Sequence, residues 1–582
     1  MGDGLHERVV RLWRSGSLEQ AASSLRTHLK LKPKDAQALQ LLAQTQLRMG
    51  DHAGGVVSLQ RAAQAQPSSP ELRCDLANAL VSADRIPEAI QQWESVLQSH
   101  PDHEASLAAL AACYPRVGRS LDGVRAGERA VALRPDWPGA SANLALALSA
   151  AGRTEDAQQA LADGVGRHPG ESRLWSTWLF GMNFRLQPVE RVLEAHRAFG
   201  ARFADPAPCP PHDPDPERPL RVGVVSPDLG ESSVSHFIGA FLAHRPAGGA
   251  LVAFSTAQPR HGDPVAARLR TLFDEFVEAW HMDATALESA MRGRRLDVLI
   301  DLAGHVWNNA LPVLATRPAP VIISAIGYAN TTGVPAVDWR LVDSITDPPG
   351  HEGHCTEGLL RLDPCFLCFE PGVAPEPASP PDDQPFTFGS FNNAEKISPE
   401  TIRLWTAVMQ AVPGSRLLLK SQAMSEPAAR RRLQERLHEA GMPPDRLEMV
   451  AYTAGRDAHL RLYARVHVSL DTTPYNGTTT TCEALWMGVP VITTLGDRHA
   501  ARVSASLLAA AGHPEWVAQD HDDFVRIAVA LASDRARLAD LRVRLRSEIA
   551  ASPLCDAPGY ASRFHAAIRS CWSEACAAMH RG

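Results

Sequence analysis

The sequence predicts a stack of α-helical hairpins followed by two doubly wound α/β domains. Three observations carry this reading. Prolines recur every 34 residues through the first third. A proline-dense stretch ahead of residue 220 ends that third. Beyond it, buried-type strands alternate with helical patterns in two series, interrupted at 371–385. At roughly 100–200 residues per domain, 582 residues supply about three to five domains' worth of chain. Hydrophobic residues at 45% and charged residues at 21% describe a globular chain. A formal charge of −7 argues against a general nucleic-acid or acidic-membrane binder. No apolar run approaches the ~20 residues of a membrane span. The start, MGDGLHERVVRLW, lacks a signal-peptide core. Ten scattered cysteines read as reduced thiols, and the expected compartment is the cytoplasm.

The repeat comes first. Pro33, Pro67, Pro101, Pro135 and Pro169 share one register. Gly16, Gly50, Gly118 and Gly152 share another, with Asp84 in the remaining slot. Leu-Ala pairs fall at 42–43, 76–77, 110–111 and 144–145, and small residues at Ala21, Gly55, Ala89, Gly123 and Ala157. Leucine and small residues let two helices approach closely, glycine closes the turn between them, and proline ends the second helix. One such hairpin cannot bury its apolar face alone, so neighbours stack into a superhelix with a groove. The pattern resembles the tetratricopeptide repeat, about five units over residues 1–169. Such arrays bind peptides or proteins.

Residues 170–218 read as a connector. SRLWSTWLFGMNF and PVERVLEAHRAFGARF are helical, with Trp175, Trp178, Leu179 and Phe180 as an apolar docking surface; PAPCPPHDPDPERP then breaks the helix. In 219–385, LRVGVVS, ALVAFST, LDVLIDLAGH and PVIISAIGY read as buried strands, and PVAARLRTLFDEFVEAW as a helix between them. In 386–582, FTFGSFNN, SRLLLKS, RLEMVAY, VHVSLDT and VPVITTL form the second series, with a closing helix. Two doubly wound domains are expected to hold a ligand between them, at the carboxyl ends of their strands.

The most informative block is VHVSLDTTPYNGTTTTCEALWMGVPVITT. A buried strand leads into a loop from Asp471 to Gly477, then Thr478, Thr479, Thr480 and Thr481 open a helix. Hydroxyls and free N–H groups at a helix start, with its partial positive charge, suit a diphosphate. Glu483, one turn in, is placed to accept hydrogen bonds from ribose hydroxyls. The chain has only five lysines, Lys30, Lys32, Lys34, Lys396 and Lys420, and every other basic residue is arginine. An isolated lysine here calls for a specific reason.

Residues 206–582 resemble the catalytic region of the O-linked N-acetylglucosaminyltransferase family, nearest its bacterial members and the plant SPINDLY-type branch. The motifs are VVSPD, DLAGH, RPAPV, GYANTTGVPAVDWRLVDSITDPP, GSFNNAEKISP and DTTPYNGTTTTCEALWMGVPVIT. The repeats match that family's architecture. The resemblance implies a GT-B fold of two Rossmann-like domains. It also implies inverting, metal-independent transfer of a sugar from a nucleotide sugar to Ser or Thr of proteins, with no cofactor. The long domain that animal members insert between the lobes is missing; 371–385 stands in its place.

Residue by residue, the resemblance gives Lys396 the neutralisation of the leaving diphosphate, a task for a compact ammonium. It sets Asn393 near the phosphates, Arg456 and His459 at the base, and Thr479, Thr480 and Glu483 at the phosphates and ribose. Glu483 replaces the aspartate of animal members. Lys396 and the helix start supply the positive charge, so no metal is expected. The family histidine four residues past the SPD aspartate is absent, and Ser232 stands there. If SPDLGESSVSHF is helical, His236 shares a face with Ser232. The base is left open among His236, His305 and the donor phosphate, and each histidine also reads as structural. Cys365 and Cys368 read as buried, strand-like thiols, and His351 and His354 as a polar loop, because a zinc site needs further ligands.

The expected function is a protein O-glycosyltransferase that captures its protein acceptor in the repeat groove and uses UDP-N-acetylglucosamine. GDP-fucose is the rival donor, since CFLCF, NTTG and TTTTCE resemble the SPINDLY-type branch. A dedicated enzyme for one surface protein such as flagellin stays open, as does a repeat scaffold with an inactive transferase domain. The acceptor and the oligomeric state are not legible.

Overall fold

The computed structural model describes residues 3–205, 208–209, 212–258, 260, 262–381 and 383–581. Pro206, Ala207, Pro210 and Pro211 of the proline-rich boundary lie outside the described residues. The chain divides into two compact units, residues 1–167 with 426–429, and residues 168–425 with 430–582.

In the first unit, ten α-helices from Asp3–Arg14 to Thr154–Arg167 form five hairpins among the described residues. The repeat register has a backbone cause. Gly16, Gly50, Gly118 and Gly152 adopt φ between 70° and 80°, and Asp84, in the same slot, adopts φ 56°. This is the left-handed turn that glycine enters without strain and aspartate tolerates. Helices Leu18–Leu31, His52–Ala65, Ile86–Ser99 and Ser120–Leu133 each end two residues before a proline of the series. Ala21, Ala89 and Ala157 are buried, as are Gly55 and Gly123. A Cβ on Gly55 would lie 2.8 Å from Leu47, so the helices touch where side chains are smallest. Nothing lies within 4 Å of a Cβ built on Gly50. Gly50→Ala therefore incurs backbone strain alone, about 1–2 kcal/mol. The expected result is faster amide exchange in helices Ala36–Arg48 and His52–Ala65, with Gly50→Asn milder. Unchanged exchange in the alanine variant would remove the backbone explanation of the register.

The second unit holds two parallel sheets. The first contains β1 (Arg221–Ser226), β2 (Ala250–Ser255), β3 (Glu275–Glu278), β4 (Val298–Asp301), β5 (Val321–Ser324), β6 (Trp339–Val342) and β7 (Gly358–Arg361), in the order β3-β2-β1-β4-β5-β6-β7. The second contains β8 (Thr387–Ser390), β9 (Arg416–Lys420), β10 (Leu447–Val450), β11 (Val468–Leu470), β12 (Val491–Thr494) and β13 (Val517–Ala518), in the order β10-β9-β8-β11-β12-β13. Central strands β4 and β5 are buried along their whole length, which is why they open on Val, Ile and Leu runs with no alternation. Each order reverses at its first strand, between β1 and β4 and between β8 and β11, opening a crevice at the strand carboxyl ends. This is the GT-B architecture.

Several local readings are corrected. PVAARLRTLFDEFVEAW is not one helix. It ends at Arg270, Asp274 accepts from the Leu251 N–H (2.8 Å), and the residues after it become β3, in register with β2 from Val252↔Glu275. LDVLIDLAGH is strand only over β4, because the Asp301 carboxylate accepts the Ala303 and Gly304 N–H groups and turns the chain. Ser232 precedes the helix Ser235–Ala243 rather than sharing its face with His236; its hydroxyl accepts the Ser235 N–H at 3.2 Å. Cys365 and Cys368 are buried but not in a strand.

Two helices sit where sequence order does not put them. Helices Ser172–Met182 and Val189–Phe203 belong to the second unit, with Leu179, Met182, Val192 and Phe199 packed among Val225, Phe254 and Ile322. The closing helix, Ala557–Met579, follows the second lobe in sequence but packs on the first. Phe564 stacks on Phe241 at 4.4 Å, His565 Nε2 donates to the Phe241 carbonyl (2.9 Å), and the Tyr560 hydroxyl donates to the Phe366 carbonyl (2.9 Å).

Candidate functional site

The loop after β11 is built around one buried carboxylate. Asp471, 3% exposed, accepts the Gly477 N–H (2.7 Å) and Asn392 Nδ2 (3.2 Å) on Oδ1, and the Thr493 hydroxyl (2.8 Å) on Oδ2. Burial pushes its pKa upward against these hydrogen bonds. The Trp405 indole donates to its backbone carbonyl (3.0 Å). The hydroxyls of Ser398 and Thr401 hold the Thr473 carbonyl, and the Ser504 hydroxyl holds that of Gly477. At Gly477 a Cβ would lie 2.7 Å from the hydroxyls of Thr480 and Thr481, so only glycine fits.

Lys396 lies in the turn after β8, and its Nζ donates to the Asn476 carbonyl of this same loop (2.7 Å), 4.3 Å from the centre of the Tyr475 ring. Burial lowers the ammonium to a pKa of about 8, partly opposed by Asp471. Thr478 precedes the helix Thr479–Trp486, whose first N–H groups have no intrahelical acceptor. The Thr480 hydroxyl donates to Asn392 Oδ1 (3.0 Å), and the Thr481 hydroxyl pairs with Ser504 (2.9 Å). Thr479 is partly exposed, its hydroxyl 3.5 Å from the Ser233 carbonyl of the first lobe. Asn393 is exposed, and its side chain accepts from the Glu395 N–H at 3.4 Å. An ammonium and a helix start thus converge on the β8–β11 switch point, an arrangement that binds anions.

Glu483 joins the two residues predicted at the base. It is 6% exposed and engaged by the protein, with Oε2 3.0 Å from His459 Nε2 and Oε1 3.6 Å from Arg456. Arg456 also donates to the Val373 carbonyl (2.8 Å). His459 Nδ1 lies 2.8 Å from Lys420 Nζ. Glu483 therefore pairs with both residues predicted to meet a base, and its two oxygens keep further lone pairs.

In the first lobe, His236 lies within electrostatic reach of Arg456 and Glu483. Its Nδ1 is 3.1 Å from the Glu370 carbonyl, so that nitrogen carries the proton and Nε2 the lone pair. Burial lowers its pKa; the Arg456 charge adds to this, and Glu483 opposes it. His305 does not join the site. It is 1% exposed, Nε2–H donates to the Thr332 carbonyl (2.8 Å), and Nδ1 accepts the Ser176 hydroxyl (3.0 Å). With both nitrogens engaged and burial holding it neutral, it has no lone pair to offer. It locks helix Ser172–Met182 to the lobe.

All ten cysteines are free, and burial raises the pKa of Cys365 and Cys368. Among the described residues no group of three His, Cys, Asp or Glu side chains is placed to hold a metal ion. Among the same residues no helix is long and apolar enough to cross a membrane.

A family model described as glycosyl transferase family 41 matches residues 207–369 and 379–564. The chain belongs to glycosyl transferase family 41. Tetratricopeptide-repeat models match residues 7–70 and 46–114. The chain is 38% identical over 427 residues to the probable UDP-N-acetylglucosamine–peptide N-acetylglucosaminyltransferase SPINDLY of Arabidopsis thaliana, covering 71% of this chain and 46% of that one. To the Arabidopsis protein SEC, of the same printed activity, it is 26% identical over 388 residues, covering 64% of this chain and 39% of that one. The chain thus spans less than half the length of these plant relatives. Among solved structures, a lysine-to-methionine mutant of the Thermobaculum terrenum O-GlcNAc transferase matches with a TM-score of 0.80 and 31% identity, over 88% of this chain and 98% of that one.

The sequence reading missed three residues that shape this family 41 site. Asn392 ties the β8 turn to the threonine helix, and the doubled asparagine of FNN was its signal. Asp471 reads in the sequence only as the start of the loop, and it is the loop's anchor. Lys420 was counted among the rare lysines and then left without a role. Asp471→Asn replaces an acceptor of three hydrogen bonds by an amide that must turn its own NH2 toward a donor. The expected outcome is a folded protein whose 471–478 amides exchange faster by at least tenfold, about 1–3 kcal/mol of lost local stability. Protection equal to that of the unsubstituted chain would show that the loop does not depend on this carboxylate.

Proposed function

We propose that the chain is an inverting protein O-glycosyltransferase that moves N-acetylglucosamine from UDP-N-acetylglucosamine to Ser or Thr hydroxyls of protein acceptors. The observation that carries this is the convergence of Lys396 and the Thr479–Trp486 helix start on one loop at the β8–β11 switch point, backed by the printed activities of the SPINDLY, SEC and Thermobaculum relatives. The diphosphate sits on the free N–H groups of Thr479 to Thr481 with Lys396 beside it. As the sugar–phosphate bond breaks, these groups neutralise the charge that develops on the departing oxygen. The base packs near Arg456 and His459. His236 accepts the acceptor's proton on Nε2 as its oxygen attacks the anomeric carbon from the face opposite the leaving diphosphate. No metal takes part. The repeat array captures the acceptor, and the ten unpaired thiols suit a reducing cytoplasm.

Incubation with UDP-N-acetylglucosamine or GDP-fucose and a co-expressed acceptor, followed by mass spectrometry, tests this reading. A mass increment from the fucose donor alone would overturn the donor assignment. Lys396→Ala is expected to lower transfer about 10²–10³-fold without unfolding the protein; wild-type turnover would refute its role. Excess EDTA is expected to leave transfer intact, and loss of activity restored by manganese would refute the charge-compensation scheme.

The pH profile follows from the two titrating groups. Lys396 acts protonated, so kcat/KM falls as pH rises through about 8. His236 acts neutral, and because its pKa is depressed, the acid limb lies below its ordinary 6.5. His236→Ala is expected to abolish the acid limb, and an unchanged limb would pass the proton to the donor phosphate. Deleting residues 1–169 is expected to preserve nucleotide binding and impair modification of the full-length acceptor. Equal modification by the truncated enzyme would move acceptor capture elsewhere.

A further inference from the structure

Two lysines lie beyond residue 34 in a chain that otherwise uses arginine, and both end at this site. Lys396 follows β8. Lys420 is the last residue of β9, the strand paired with β8 in parallel register. The reaction described above uses the first and leaves the second without a task.

The geometry around Lys420 determines a proton. Its Nζ is 2.8 Å from His459 Nδ1. An ammonium has three donors and no acceptor, so Nδ1 must be the accepting nitrogen, and the ring proton sits on Nε2. Nε2–H then points at Glu483 Oε2, 3.0 Å away. The other carboxylate oxygen faces Arg456. Both nitrogens of His459 are thereby committed to the protein, and neither is left for the edge of a ligand. The ring keeps only its faces, and it packs 5.7 Å from Phe391 and 5.9 Å, edge to face, from Tyr463. Lys420 is half-buried; burial lowers its pKa while the Glu483 charge raises it. The ammonium and the carboxylate thus hold the imidazole between them from opposite ends.

We propose that Lys420 is a positioning residue for the nucleobase: by fixing His459 with Nδ1 as acceptor and Nε2–H on Glu483, it holds the imidazole as an oriented plate on which the base stacks. This rests on the reading of the second lobe as the nucleotide site. Without the ammonium, Nδ1 loses its donor. The ring can then flip or exchange tautomers, and the Glu483 carboxylate is left to Arg456.

The test uses the full-length protein with uridine diphosphate as probe. Lys420→Met keeps the aliphatic stem and removes the donor. It is expected to weaken uridine diphosphate binding and raise KM for the donor about 10–100-fold, the value of a hydrogen bond to a charged group. It should leave kcat nearly unchanged, because the bond-breaking step is served by Lys396. Lys420→Arg, which restores a cationic donor, is expected to recover most of the loss. With 15N-labelled histidine, and the His459 signals assigned by their disappearance in His459→Gln, the wild type is expected to show the Nε2–H tautomer, and Lys420→Met a mixture. Wild-type affinity in Lys420→Met, or an unchanged His459 tautomer, would overturn the inference while leaving the nucleotide site in place. Uridine diphosphate binding that is undetectable in the wild type, or unaffected by His459→Ala, would overturn the site reading and this inference with it.

Discussion

A single buried carboxylate organises the catalytic half of this protein. Asp471 draws together a backbone amide of its own loop, the amide side chain of Asn392 beyond β8 and a hydroxyl of β12. Three strands of one sheet are thereby joined at their carboxyl ends. The charged form is expensive to bury, and it is kept because every donor aimed at it is itself anchored. The position of the Lys396 ammonium follows from this arrangement, since its acceptor, the Asn476 carbonyl, belongs to the loop that the carboxylate folds. So does the direction of the threonine helix, whose preceding glycine has no room for a side chain.

Electrostatics divides the site into two halves with different logic. Around Lys396 the protein gathers a buried ammonium, held on the Asn476 carbonyl, and helix-start N–H groups without an intrahelical acceptor. Around Glu483 lysine, histidine and carboxylate hydrogen-bond to one another, and Arg456 faces the carboxylate at 3.6 Å with Nε and Nη2 buried and without a hydrogen-bond partner. The first half concentrates positive charge at a helix start. The second is preorganised, so little rearrangement is needed on binding.

Much of this was legible in the residues. The period of the repeat was visible because one backbone conformation, the left-handed turn, admits glycine at four positions and aspartate at one. The strands bordering the site were visible because burial on both faces leaves no room for alternation. What escaped notice depended on partners distant in sequence. Glu483 reads as a free acceptor until His459 and Arg456 are brought to it. His305 looks available until the Ser176 hydroxyl arrives from a helix before the lobe begins. PVAARLRTLFDEFVEAW keeps a helical pattern, yet EFVE is captured by the edge of β2, because pairing with an open strand outweighs local propensity.

The closing helix has a consequence for how the chain is made. Residues 557–579 cover part of the first lobe's core, yet they are translated after the whole second lobe. During synthesis Phe241 and its neighbours must wait, uncovered, while residues 386–556 emerge, roughly ten to thirty seconds at bacterial or eukaryotic elongation rates. The second lobe can finish folding on the ribosome; the first is completed only once helix Ala557–Met579 has emerged. Loss of this helix would therefore damage the lobe that was made first.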